Sequence, residues 1–464
     1  MNINQNNTRA VKTEYLLSLL FYLTYLGLTS LWAYLAPLGD GPDETLRYLI
    51  PYYIYQHGTL PLGTDLETIA ASTYGISYAF FPYLSAIVQA GVMKIVSLFG
   101  ADSFTLLYAG RMVSVFFGLL TAIIIRKTAR LLFRDNRISW LFTLLCVMWP
   151  EVLFLNTYIN SDSLALLSCA VILYALVYGQ QNDWNRRSCL ILAIGFSLCA
   201  LSYYNAYGMI LSAILIVVLY CLHKRDGKEL LRIAATVFAA CFVLCGWWFI
   251  RNGIAYHGDF LGISTNFRQA DHYGLARYRP SSRVSLSASG APWYCLLVPA
   301  LSDQWFSKVR QSYIAAFGHS QIILNNASYF FYRLILLTTP IGLVAAAVSA
   351  FRKKLSRAFF CGMLCAVTIP FLLCYLYSYF SDYQPQGRYL MPGHFALVFF
   401  CSYGIFTLIS WLQKLLPRRV ITFLCILLAV LILIIALESL YVVFQSYAPA
   451  LPATHQLQFK GGPL

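Results

Sequence analysis

Asp40, Asp43 and Glu44 fall together in PLGDGPDETLRY (37–48), directly after the first long apolar run of the chain. A carboxylate can take up a proton, balance a cation or bind a metal, and each use needs a partner. Acids are scarce here, with 18 Asp and Glu against 33 Lys and Arg in 464 residues, so three at one membrane edge require a reason. The simplest reason is a helix start. Gly41 would be the N-cap, Pro42 the first helical residue, and Asp43 and Glu44 would complement the positive end of the helix dipole. In such an interfacial helix Leu46, Ile50 and Tyr53 face lipid while Glu44, Arg47 and Tyr48 face water. Pro51 interrupts it and Gly58 ends it. That reading explains one acid, not three followed by Arg47.

Two further stretches carry the same kind of residue. In MWPEVLFLNTYINSDSLALL (148–167), Asn160, Ser161 and Asp162 form a turn in which Ser161 or Asp162 would serve as a helix cap. Glu151, one turn deeper, is an acid within an apolar run and needs a partner. In SDYQPQGRYLMP (381–392), Arg388 stands at the start of a helix, where a cation opposes the dipole and implies an anionic neighbour. That neighbour is either a phosphate at the interface or an acid such as Asp382. Residues 251–328 hold several Arg with Trp293, Tyr294, Trp305 and Phe306, a mixture that suits sugars but more often anchors a chain at the interface. His257, His272 and His319 have no metal-ligand spacing.

The elements that must position these residues are membrane spans. Hydrophobic residues make up 59% of the chain and charged residues 11%, which excludes an ordinary soluble domain. Apolar runs of about 20 residues fit a bilayer core. The expected spans are 15–37, 107–126, 138–157, 162–179, 188–204, 207–222, 231–250, 329–350, 357–380, 389–411 and 420–444. The basic clusters RKTARLLFRDNR (126–137), NRR (185–187), HKRDGKELLR (223–232), FRKKLSR (351–357) and QKLLPRR (413–419) each sit at one end of a span. The positive-inside rule places them in the cytoplasm, so the net charge of +15 reflects topology and not nucleic-acid binding. The same rule keeps 76–99 on the outer side as a re-entrant or interfacial element, because a crossing there would send the 126–137 cluster outward. The expected protein is an all-α polytopic membrane protein of about eleven transmembrane helices, with interfacial helices in its first outer loop. It divides into an N-terminal module (1–250, with outer loop 38–106), an outer loop (251–328) and a C-terminal module (329–464). The first span is too long for a signal peptide and lacks a small-residue cleavage site. The 13 scattered Cys suggest packing, not a disulfide or metal framework. Cytoplasmic loops are too short to hold a nucleotide, and P-loop, HExxH and repeat patterns are missing.

The order PDETLR, then YAGRMVSVFFGLLTAIIIRKTARLLF, then the Pro150–Asn156–Asn160-Ser161-Asp162 turn, then QGRYLMP resembles the GT-C superfamily of integral membrane glycosyltransferases. The likeness is to bacterial protein O-mannosyltransferase-like and aminoarabinose-lipid A transferase-like proteins, over about residues 15–210 and again at QGRY. The resemblance implies a glycosyltransferase, hexosyl or pentosyl, in a bacterial plasma membrane. It would take a sugar from a polyprenyl phosphate and pass it to a glycan, lipid or protein hydroxyl on the outer face. It makes Asp43 the base, Glu44 its companion and Asp162 a second acidic position. Arg47, Arg111, Arg388 and Tyr389 become candidates for the donor phosphate. Where aminoarabinose transferases carry a Glu-Lys-Pro-Pro-like stretch, this chain reads LETIAASTYGISY (66–78). Glu67 or Tyr74 would take that place, and the divalent ion bound there in relatives has no clear ligand motif. The alternatives are a polysaccharide polymerase and a lipid-linked oligosaccharide flippase or other transporter. Transporters tend to show repeats and mid-membrane broken helices, and this chain instead gathers its polar residues at one face.

Overall fold

The computed structural model describes residues 2–69 and 73–450; residues 70–72, inside the 66–78 stretch, and 451–464 lie outside the described residues. Sixteen α-helices are present among the described residues. In chain order they are α1 (Asn2–Leu35), α2 (Glu44–His57), α3 (Leu84–Ser97), α4 (Ser103–Leu132), α5 (Asn136–Val147), α6 (Pro150–Leu155), α7 (Asp162–Gln181) and α8 (Arg186–Ala200). There follow α9 (Tyr207–Lys224), α10 (Gly227–Ala255), α11 (Ile263–Tyr273), α12 (Trp305–Ile314), α13 (Asn326–Phe351), α14 (Arg357–Phe380), α15 (His394–Leu412) and α16 (Arg418–Tyr447).

Nine of the described helices are long and apolar enough to cross a membrane. They correspond to nine of the expected spans, and the other two are shorter. The 138–157 run is split into α5 and α6 at Met148–Trp149, where Pro150 begins the second piece. α8 has 15 residues, about 22 Å of helix against a hydrocarbon core of about 30 Å. α3 has 14 residues, about 21 Å. Polar residues set many starts: Asp102, Asp135, Asn185, Asp226, Asn325 and Ser356 each accept a backbone N–H in the first turn of α4, α5, α8, α10, α13 and α14.

α4 lies between α1 and α7, α7 packs on α8, α9 on α14, and α13 on α15. One apolar core runs through these helices from Phe21 to Val443. α2 departs from its expected orientation. Glu44, Arg47 and Tyr48 are buried and do not face water, because each acid or cation meets a partner inside the protein. Ile50 is buried with Ala79, Tyr83 and Ala86 and does not face lipid. Pro51 lies within the unbroken helix, which loses a single backbone donor there and is held by that packing. Gly58 ends the helix at φ 68, as expected.

Candidate active site

Four chain segments meet beyond the end of α1: the 36–43 turn with the start of α2, the 156–161 turn with the start of α7, the 3-10 turn Tyr204–Ala206, and the 3-10 segment Gly387–Gly393. The last is pressed against α12, where a Cβ on Gly387 would collide with the Tyr313 backbone. Glycine is therefore what lets Arg388 reach inward. Asn205 Nδ2 donates to the Tyr389 carbonyl at 2.9 Å, tying two of the segments together.

Asp43 is the N-cap of α2 by position, but its side chain makes no capping bond. Its Oδ2 accepts from Arg388 Nη2 at 2.9 Å. Arg388 is thus paired with Asp43 and not with Asp382, which lies 3.6 Å from Arg283 and accepts from Gln384 at 2.9 Å. Gln386 Oε1 accepts from Arg388 Nε at 2.7 Å, and the Tyr389 ring lies 5.2 Å from the guanidinium centre. Arg47 Nη1 donates to Asp162 Oδ2 at 3.2 Å, between the rings of Tyr78 (4.9 Å) and Tyr203 (5.5 Å). Asn160, not Ser161 or Asp162, caps α7, accepting from Ser163 N at 2.8 Å. Asp162 is thereby left for Arg47.

Three of the four acidic and basic side chains here are buried, while the Asp43 side chain keeps 33% of its surface open. Burial alone would raise the Asp43 carboxyl, but the charges of Arg388 and Arg47, with help from Tyr78, hold it below the usual carboxylate value. Arg47 Nε, Arg388 Nη1 and the Tyr158 hydroxyl are buried without a partner among the described residues. Unpaired buried donors around an open carboxylate are costly unless something anionic or polar joins them.

Glu44 and Arg111 form a separate pair, both 0% exposed. Glu44 Oε1 accepts from Arg111 Nε (2.8 Å) and Ile159 N (3.0 Å), and Oε2 from Arg111 Nη2 (2.7 Å) and Gly39 N (3.1 Å). Arg111 spends its remaining N–H groups on the carbonyls of Ala33 (2.8 Å), Ala36 (2.5 Å) and Pro37 (2.9 Å). Carboxylate and guanidinium are both saturated. Glu44 and Arg111, expected in the catalytic pair and at the donor phosphate, are here fully engaged with each other and with backbone groups. Glu151, the acid in an apolar run, accepts from the backbone N–H of Ala316 at 3.1 Å.

The metal expectation meets a poor donor set. Glu67 is exposed and 2.9 Å from His57, and no three His, Cys, Asp or Glu side chains converge among the described residues. Sequence reasoning missed Tyr78, Tyr203, Tyr158 and Gln386. Only Gln386, two residues before Arg388 in QPQGR, carried a local signal.

A family model described as a predicted membrane protein (DUF2142) matches residues 54–395. The chain belongs to this family. Members are thus membrane proteins by description, and the solved structures show which fold this one has. The Archaeoglobus fulgidus oligosaccharyltransferase, in complex with Zn and sulfate, superposes with a TM-score of 0.53 at 17% identity over 96% of this chain. ArnT from Cupriavidus metallidurans, bound to undecaprenyl phosphate, gives 0.52 at 14% identity, covering 96% of this chain and 77% of its own. The archaeal oligosaccharyltransferase AglB with an inhibitory peptide and a dolichol-phosphate gives 0.50 at 15% identity and 96% coverage of this chain. The chain spans about half the length of the archaeal enzymes, 53% and 56%. No curated protein matches in sequence. The DUF2142 chain therefore shares the fold of these enzymes, the fold that the order of its motifs led one to expect.

Proposed function

We propose that this DUF2142 protein is a membrane glycosyltransferase that moves a sugar from a polyprenyl-phosphate donor to an acceptor hydroxyl on the outer face. The observation that carries this reading is the open Asp43 carboxylate beside two buried guanidiniums, Arg47 and Arg388, each with an unpaired N–H. In the reaction the acceptor oxygen bonds to the anomeric carbon, and the bond from that carbon to the phosphate oxygen breaks. The phosphate departs as a stable anion and needs no proton, unlike the alkoxide expelled by a glycosidase. One carboxylate, Asp43, suffices to take the hydroxyl proton as the new bond forms. Arg388 and Arg47 hold the phosphate charge before and after transfer, with Tyr389 under the Arg388 guanidinium. Asp162 keeps Arg47 in place, and Glu44 with Arg111 fixes the turn that carries Asp43. A single displacement inverts the anomeric centre. The undecaprenyl phosphate in ArnT and the dolichol-phosphate in AglB support a lipid phosphate as the leaving group here.

The test uses Arg388. Lysine supplies charge without the bidentate fork, so Arg388→Lys should weaken donor use partly and Arg388→Ala strongly, with acceptor dependence little changed. If Arg388 served only to neutralise Asp43, the Ala variant would melt lower while donor kinetics stayed normal. That outcome would remove the phosphate role.

A further inference from the structure

At the end of α1 remote from Asp43, α1, α4 and the start of α5 enclose a groove of about 780 Å³, a volume in the range of small-ligand sites (about 300–1,000 Å³). Four cations, Arg126, Lys127, Arg130 and Arg134, line it against a single acid, Glu14. That acid is already shared. It bonds Arg126, accepts from Arg130 Nη2 at 2.7 Å, and accepts from Asn136 Nδ2 at 3.2 Å and Trp140 Nε1 at 3.3 Å. Lys127 and Arg134 are exposed and have no ion partner among the described residues. Arg126 is 1% exposed, lies 3.9 Å over the Trp140 ring, and leaves its Nε buried without a partner. Holding a guanidinium rigidly in this way, with a donor unspent and surplus positive charge beside it, is the arrangement that receives an anion.

Apolar side chains line the groove as well. Tyr15, Leu19, Ile123 and Phe133 complete the groove, and Tyr15 and Leu19 belong to the exposed apolar surface of α1 that continues through Leu20 and Leu23. An anion with hydrocarbon chains matches both the cations and the apolar side chains; a free anion matches only the cations. Basic pockets between spans are known to hold acidic lipid head groups. We propose that this groove is a binding site for an anionic phospholipid, its phosphate among Arg126, Lys127, Arg130 and Arg134 and its acyl chains along α1. The site lies in the leaflet away from Asp43, which the positive-inside rule makes the cytoplasmic one. It is distinct from the donor site and stands or falls independently of it.

Trp140 provides the readout. The full chain is reconstituted into phosphatidylcholine vesicles containing acyl-brominated phosphatidylglycerol or, at equal content, acyl-brominated phosphatidylcholine. The Trp140 signal is taken as the difference between wild type and Trp140→Phe. Quenching should be severalfold stronger with the anionic lipid. It should lose that preference in Lys127→Gln/Arg134→Gln, whose residues are exposed and support no ion pair in the fold. Equal quenching by the two lipids would overturn the proposal, as would a preference that survives the double substitution. Loss of quenching on adding inorganic phosphate would assign the groove to a free anion instead and equally overturn it.

Discussion

Asp43 has φ 62, in the left-handed region where most L-residues are strained by roughly 1–2 kcal/mol and Asp or Asn is best tolerated. That backbone turns the side chain away from its own helix and toward Arg388. Asp43→Asn keeps the conformation, and its amide oxygen can still accept from Arg388, so the melting temperature should stay near wild type. Sugar transfer should fall about 100-fold or more, the usual loss when a general base is removed. Near-normal turnover of the Asn variant in proteoliposomes would end the assignment of Asp43 as base. Since Arg388 and Arg47 hold its carboxyl below the ordinary value, the Asp43 carboxylate stays ionised through neutral and mildly acid pH. The acid limb of kcat/KM should lie below the normal carboxylate range and move up in Arg388→Ala. Asp40, three residues earlier, behaves in the opposite sense. Burial first of all, and also the nearby Glu44, raise its carboxyl from 3.8 to about 6, against the lowering effect of the Tyr447 hydroxyl that it accepts. Between those values the folded chain holds a proton that the unfolded chain has released. Stability therefore falls as pH rises through that window, by roughly 3 kcal/mol for a shift of this size. Asp40→Asn should flatten the melting temperature between about pH 4 and 6, and an unchanged slope would remove Asp40 as its source.

At the scale of elements, the ends of helices matter more here than their middles. The saturated Glu44–Arg111 pair joins the end of α1, the start of α2, the first third of α4 and the turn before α7. Glu44→Ala would strand a buried guanidinium, a loss of about 3–5 kcal/mol. The variant should show a much lower thermal transition in detergent, and wild-type melting would show that the pair holds nothing together. The helices themselves were legible because a run of apolar residues about 20 long, closed by Lys and Arg, can do little else in a membrane protein. Local chemistry also drew notice to Asp43 and Arg388, ionic residues at helix starts, whereas Asp162 read locally as a helix cap and was singled out only by the resemblance. What could not be read was pairing. Arg47 meets Asp162 across 115 residues and Arg388 meets Asp43 across 345, and no spacing rule links positions so far apart. For the same reason the division of the two neighbouring acids was hidden. Asp43 and Glu44 are adjacent in sequence, yet the left-handed turn sends one to an open site and the other into a closed lattice of hydrogen bonds.

For the molecule as a whole, the two ends of the bundle are chemically different: the Asp43 end collects the acids and tyrosines of the candidate active site, and the other collects the basic clusters. An engineered cysteine reads this polarity directly. Ala101→Cys should react with a membrane-impermeant thiol reagent from outside intact cells, and Arg134→Cys only after the membrane is opened, each measured above the wild-type level set by native Cys361. The reverse pattern would turn the protein over and put Asp43 in the cytoplasm. The Arg111 tie also has a temporal side. Its guanidinium is 75 residues later in the chain than the Ala36 carbonyl it satisfies. At ribosomal rates of about 5–20 residues per second, that separation is roughly 4–15 s of synthesis. During that interval the end of the first span waits in the nascent chain without its partner, and Glu44, 67 residues before Arg111, waits almost as long. The turn carrying Asp43 completes its hydrogen bonds only once the α4 segment has been made, so its folding is timed by a residue far along the chain.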